Sequence, residues 1–559
     1  MGTRVLVFLV LVALDACGGK AARRGRGEGD GRTGGAPGAS GAATSGGGAG
    51  SSAASSSGGR AGRGGSNGMT GGEAGSRGGE GNDSGAGGET GPGGAGGESG
   101  VRFLLLEPPP PLTFPPGATE TSEREDALSV TGASRDGSVL AGVFSYRYPS
   151  FNVPEDGEAF IWSEAEGVVR LGADALPGRR PLAVDYVWLS ADGARLFGKY
   201  EERHESGNGR DFGGFFSWSR GDGVRRAFAL EDIAEAVIDF VADDARTAVG
   251  TYRFSNDITT AQSLRTYRFT EAGGAVDLGV AEGLPETVVV TRMSPDGHAL
   301  LVNSNDAAPP RAFRYTETDG AQALGALDGF PECWAELMSD DAAVIVGSCS
   351  NGATSRGFRW TEAGGMVALE GVGADDQVRA LSADGSVVLG TTVDATGLSA
   401  LFRWTEADGK TVVASPAETN VFLDFYSLTD DGRVAFGSLV PRENGDLGEP
   451  GTQAFRWSDA GIQPLGFLEG DDVSEVFTAA ADGSVLGGTS HAAHVLGRAA
   501  LWDRRGIRDV TAELDQAGVD RHGSEPSFVH RVWSSSTTLV VQGTDTAGRS
   551  WVAWLPARE

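Results

Sequence analysis

The residues of this chain that could do chemistry are few, and their spacing limits what they can do. There are three cysteines and six histidines in 559 residues. Cys333 and Cys349 lie symmetrically about Asp341, eight residues on either side. If Asp341-Ala342 turns a hairpin, the thiols face each other across it, within disulfide reach. Such a bridge would close a short loop and contribute about 3 kcal/mol at most; two free buried thiols are the alternative. A thiolate metal site is not expected, because no histidine is near. Cys17 follows Leu14-Asp15-Ala16 at the end of an apolar run, the pattern of a cysteine that receives a lipid during export. The histidines are His204, His298, His491, His494, His522 and His530. Only His491 and His494 stand close, three apart just after a strand-like segment, which in a loop does not make a metal site. No nucleophile elbow, phosphate loop or metalloprotease helix is present.

Carboxylates are abundant, 76 in all. Any two could be drawn as the acid and base of a glycosidase, so no pair carries weight without geometry. Their placement is not random, however. An Asp followed by Gly or Ala recurs at Asp136, Asp192, Asp244, Asp296, Asp341, Asp384, Asp431 and Asp482, with a degenerate copy at Thr537-Thr538. Repeated Asp suggests calcium, but calcium needs six or more oxygens converging on one point. One Asp per copy is a turn former, since Asp and Gly tolerate the positive φ of a tight hairpin.

These turns belong to a unit of about 50 residues, clearest over 378–414. Strand-like segments at 378–382, 386–390, 401–405 and 411–414 are joined by Asp384-Gly385, a short gap and Asp408-Gly409. Six residues after most of the turn aspartates comes Gly142, Gly198, Gly250, Gly347, Gly390, Gly437, Gly488 or Gly543. The third segment carries an aromatic in each copy: Trp162, Trp218, Phe269, Tyr315, Trp360, Trp404, Trp457, Trp502 and Trp554. The two series interleave nine times. Four short antiparallel strands cannot bury both faces alone, so the copies must stack. The expected fold is all-β: a β-propeller of about nine four-stranded blades, alternatively eight with one aberrant repeat. The aromatics are expected between blades, as core.

The segments Ala159-Phe160-Ile161-Trp162, Ala312-Phe313-Arg314-Tyr315, Gly357-Phe358-Arg359-Trp360 and Ala454-Phe455-Arg456-Trp457, with Leu171, Leu324, Leu369 and Leu465 after them, resemble the bacterial extracellular HAF repeat. The resemblance covers about 126–555. The His that gives that family its name is replaced here by Glu158, Arg311 and Gln453. The resemblance implies an exported repeat protein and supplies no catalytic residues. A kelch-type propeller is disfavoured, because its paired glycines and Tyr–Trp spacing do not occur.

The connection between second and third segments is long in the first three copies and the seventh: 144–158, 199–214, 252–265 and 438–453. In a propeller these share one face. Tyr146, Tyr148, Phe151, Tyr200, His204, Tyr252 and Phe254, beside Glu201, Glu202 and Asp211, would then form an aromatic and acidic rim suited to sugar or peptide. Ordinary loop variation is the competing explanation. No cofactor is expected, though a calcium ion could be held, for which the segment 199–214 is the best candidate.

Residues 1–17 form an export signal of lipoprotein type, with Arg4 before an apolar run of ten at 5–14, too short to span a bilayer. Asp15 departs from the small or β-branched residue usual at that position; cleavage nearby and free secretion is the alternative. Residues 18–100 are nearly all Gly, Ser and Ala and lack the means to build a core, so they are expected to be a disordered tether. The propeller is expected over 101–559, with 101–106 supplying the missing fourth strand of the last copy and closing the ring. The net charge of −30 resides there, because residues 1–100 carry nine basic and eight acidic side chains. Such a surface repels nucleic acid and anionic headgroups, so membrane contact is expected through the lipid alone. The chain reads as a monomeric, non-catalytic binding or scaffold propeller of the bacterial cell envelope, presenting loops to a protein or glycan; an exported polysaccharide hydrolase or lyase is the alternative.

Overall fold

In the computed structural model, residues 100–108, 125–147, 156–171, 183–203, 210–228, 233–254, 265–280, 283–304, 311–393, 399–414, 421–441 and 449–558 are described. The chain divides into units Met1–Gly93 and Gly94–Glu559; the export signal, Cys17 and the glycine-rich segment up to 99 lie outside the described residues. The second unit is a β-propeller of nine four-stranded antiparallel blades. We number them by chain order: blade 1 spans 125–170, blade 2 183–228, blade 3 233–277, blade 4 289–323, blade 5 332–368, blade 6 377–414, blade 7 421–464, blade 8 473–509 and blade 9 526–556.

Blade 9 takes its fourth strand from the other end of the sequence. Arg102–Leu105 pairs antiparallel with Ser550–Pro556, from Arg102 opposite Trp554 to Leu105 opposite Trp551. Blade 1 then packs on blade 9: the Ser550 hydroxyl donates to the Leu128 carbonyl at 3.1 Å, and Leu106, Leu128 and Phe144 share a core with Val552 and Trp554. The ring therefore has nine blades, not eight, and closes where the unpaired edge required it to.

The third-strand aromatics sit between blades. Trp218 is in the core of blades 1 and 2, Trp404 in that of blades 5 and 6, Trp457 in that of blades 6 and 7, and Trp502 in that of blades 7 and 8. Each turn aspartate acts as a local staple. The Ser134 hydroxyl donates to Asp136 at 2.8 Å and accepts from the Val139 amide at 3.0 Å, while Asp136 also accepts from the Ser138 amide. Ser382 and Asp384 repeat this arrangement. The following residue has the left-handed φ of the turn, in Ala245 and Ala342 as in the glycines, and at Gly385 it also abuts the preceding blade, where a Cβ would lie 2.5 Å from Val344. The Arg of the repeated F-R-W run reaches forward to the next turn, Arg268 to the Gly297 carbonyl at 3.0 Å and Arg314 to that of Ala342 at 3.1 Å.

Two details differ from the sequence-based expectation. The last hairpin turns at 535–537, and Thr538 already opens the next strand. One helix, Val510–Gln516, follows blade 8; Asp509 caps it by accepting from the Ala512 amide, and Val510 and Leu514 fill the core between blades 8 and 9. The predicted bridge is present: Cys333 and Cys349 are directly paired across two strands of blade 5, disulfide-bonded and buried.

Candidate functional site

The first strand of each blade is the innermost and forms the wall of the central channel. Each one carries a β-bulge, one residue more than its partner strand. In seven blades the extra residue stands five positions before the turn aspartate: Thr131, Asp239, Thr291, Glu336, Arg379, Tyr426 and Phe477. In blades 2 and 9 it is Asp185 and His530. A bulge re-aims a side chain, so the wall bears a belt of bulge residues; in every blade but the second, where it is offset by two residues, the bulge falls at one structural position.

In seven blades the bulge also explains the repeated glycine; the fourth has Val302 there, and Gly198 of the second meets Phe216 instead. The bulge pushes a first-strand carbonyl toward the second strand, where a Cβ would collide with it. At Gly250 the clash would be 1.9 Å from the Val237 oxygen, at Gly390 2.3 Å from that of Gln377, and at Gly488 1.9 Å from that of Glu475. A third-strand aromatic covers the bare glycine, as Phe402 does opposite Gly390.

Two belt residues hold neighbouring blades together. The Thr131 hydroxyl donates to the Val187 carbonyl at 2.6 Å, and that of Thr291 to the Ala335 carbonyl at 3.3 Å. The others are chemically varied, and some act on one another from blade to blade, as Glu336 and Arg379 do. Glu336 is raised by burial, against the opposing pull of the Ser348 hydroxyl at 3.0 Å and of Arg379 and Arg292 on either side. Asp424, two residues before the bulge of blade 7, is raised by burial and held down by Arg379. Glu475 is raised by burial and lies 3.7 Å from the His491 imidazole. Asp239 meets channel solvent but is walled in by protein, which pushes its carboxyl up to about 6. His530 is pushed down to about 4 by burial and by Arg531, whose guanidinium donates to the Thr131 carbonyl at 3.0 Å. Tyr186 and Phe477 are 40% and 43% exposed, large aromatic surface left open on the wall.

At the turn end of the channel, the residues before the turn aspartates join backbone to backbone. The Arg135 amide donates to Ala191, Ala191 to Asp243 and Asp243 to Pro295 at 2.6–2.8 Å; Asp340 donates to Ala383 and Ala383 to Asp430, both at 2.9 Å. Proline has no amide proton, so the series stops at Pro295. Asp340 is raised by burial and by Asp430 and Asp243, and Arg135 reaches Asp243 at 2.6 Å.

Three members of the aromatic rim expected from the sequence are turned inward. Tyr146, Tyr200 and Tyr252 are buried. The strands Val139–Arg147, Arg195–Arg203 and Thr247–Phe254 run further than the sequence suggested, and their pleat turns these tyrosines inward. Tyr146 packs with Phe144, Phe160 and Trp162, and Tyr252 donates to Asp277 at 2.9 Å. Phe254 ends its strand. Tyr148, Phe151 and His204 lie outside the described residues, as does most of the segment considered for calcium. Among the described residues no group of three or more His, Cys, Asp or Glu side chains is placed to hold a metal ion. His491 and His494 do not converge: His491 turns to Glu475, while His494 is exposed with left-handed φ. No helix among the described residues is long and apolar enough to cross a membrane.

No protein-family model and no curated protein matches the sequence. Among solved structures, the chain is similar to TolB from Acinetobacter baumannii, at 11% identity over 68% of this chain and 80% of that one, with a TM-score of 0.30. It is similar to the β-propeller domain of the Trilobed protease from Pyrococcus furiosus, at 11% identity over 62% of this chain and 99% of that one, with a TM-score of 0.31. It is also similar to dipeptidyl peptidase 4 from Porphyromonas gingivalis, at 9% identity over 75% of this chain and 64% of that one, with a TM-score of 0.44. At these identities the likeness concerns the fold alone.

Proposed function

We propose that this protein is a non-catalytic binding propeller of the bacterial cell envelope, held to a membrane surface by a lipid on Cys17, with the channel wall as its recognition surface for a protein or glycan. One observation carries the reading. The repeat is nearly uniform wherever the blade geometry demands a residue: a turn Asp in all blades but the ninth, a second-strand Gly in all but the fourth, and a third-strand aromatic in every one. At the bulge the geometry repeats and the chemistry does not: Thr131, Asp239, Glu336, Arg379, Tyr426, Phe477 and His530 share one structural position. A position that is fixed in shape and free in chemistry suits recognition. The rigid closed ring presents those side chains without paying the entropy of ordering a loop.

The full-length chain, applied to arrays of glycans and cell-wall fragments with and without calcium, tests this. A hit abolished by Tyr186→Ala with Phe477→Ala supports it, and a hit indifferent to both variants moves recognition to the loops. The enzyme alternative has one observation in its favour, the carboxyl of Asp239 at about 6, within reach of general-acid work near neutrality. Release of shorter products from an arrayed polysaccharide, lost in Asp239→Asn, would establish it instead. Cys17→Ser is expected to release the protein from the membrane fraction.

A further inference from the structure

The geometry points to one sector of this wall, formed by blades 7, 8 and 9, as a site for an aliphatic ammonium group, carried by a free polyamine or by a lysine side chain. The inference rests on the channel wall being the recognition surface and names its ligand class. Each of the three blades places two residues there, at the bulge and two before it: Asp424 and Tyr426, Glu475 and Phe477, Phe528 and His530. The rings form a run across two blades. Phe477 and Phe528 have centroids 6.3 Å apart, and Phe528 lies nearly parallel to His530 at 6.4 Å. Phe477 keeps 43% of its surface open. An aromatic face attracts a cation through its quadrupole.

Among the described residues, the carboxylates of Asp424 and Glu475, on blades 7 and 8, lack strong cationic partners. Arg379 acts on Asp424 from blade 6, but its guanidinium is turned to Gln377, to which it donates a hydrogen bond. Glu475 has the imidazole of His491 at 3.7 Å. Burial raises both carboxyls, and both act on the Tyr426 hydroxyl. A bound ammonium would supply the missing charge and lie against the rings. The mouth aspartates Asp243, Asp340 and Asp430, on a chain of net charge −30, favour entry of a cation. A neutral sugar would use the rings and leave the charge uncompensated.

The test is calorimetric titration of the full-length protein with spermidine, with tri-lysine and with a neutral cello-oligosaccharide. Binding of an amine is expected, weakened about tenfold by Glu475→Gln and by Phe477→Leu, roughly one charge-assisted or cation–π contact each, and weakened by added salt. Phe477→Leu keeps an apolar side chain at an exposed position, so an unchanged melting temperature separates lost binding from lost folding. Spermidine binding without tri-lysine binding identifies a free polyamine, and the reverse identifies a lysine-bearing chain. Amine binding unaffected by both variants, oligosaccharide binding without amine binding, or no binding of any probe overturns the inference. A hit on the envelope arrays that is lost in Tyr186→Ala would leave the broader wall reading standing in each of those cases.

Discussion

The carbonyl oxygen of Asp424 occupies the space that a side chain on Gly437 would need: a Cβ built there would lie 2.0 Å from it. The two residues belong to adjacent strands of blade 7, and the bulge that brings Asp424 and Tyr426 to the channel wall is what drives that carbonyl across.

Gly437→Ala must therefore flatten the bulge or break the pairing. We expect a loss of about 3 kcal/mol, at the upper end for overpacking, read as a shift in denaturant midpoint. Gly466→Ala is the control. It has left-handed φ of 76° but open space around it, so only backbone strain applies and the cost is about 1 kcal/mol.

Removing the chain up to residue 107 deletes the strand Arg102–Leu105 and bares the edge of Ser550–Pro556. An exposed edge pairs with whatever strand it meets. The truncated protein is expected to melt lower and to self-associate by size-exclusion chromatography. A monomeric product with an unchanged melting temperature would show that ring closure is dispensable.

The Cys333–Cys349 bridge joins residues 16 apart. Replacing both by Ser should cost about 3 kcal/mol, the value for a loop of that length. Both cysteines are buried, so a reductant added to the folded protein should leave the bridge intact, and thiol labelling should appear only with denaturant.

Asp239 makes a pH prediction whose sign follows from its raised carboxyl. With a folded value of about 6 against about 3.9 in the unfolded chain, the native state holds the extra proton between those limits. Its contribution to stability thus falls as pH rises through that window. Asp239→Asn removes the charged form and should stabilise the protein at pH 7, with no gain below about pH 4. Because the carboxyl meets channel solvent, the gain is expected near 1 kcal/mol rather than the full value. His530, held neutral down to about 4, acts oppositely: stability falls as pH drops from its unfolded value of about 6.5 to 4. A gain from Asp239→Asn that persisted at pH 3 would contradict the assignment.

Much of the fold was legible in the residues. Asp-Gly pairs mark turns because few residues accept left-handed φ, Trp and Phe at one offset mark a buried seam, and Cys333 and Cys349 pair because hairpin register equates distance from the turn. The closing strand at 102–105 followed from a last repeat that lacked its fourth strand. Each of these depends on neighbours in sequence or on one symmetry. Three tyrosines of the expected rim were misread for a related reason. Tyr146, Tyr200 and Tyr252 were placed in loops, and only pairing with the strands beside them shows how far each hairpin extends and which way its pleat turns.

The belt had a sequence trace, the position five before the turn aspartate, but Thr131, Asp239, Glu336, Arg379, Tyr426 and Phe477 share no residue type to mark it. The sequence by itself determined the repeat, its strand order and its seams, because those need the same kind of residue in nearly every copy. Only the tertiary structure decided which nine positions share the channel wall and which charges answer one another there, because bringing together residues hundreds of positions apart takes the closed ring.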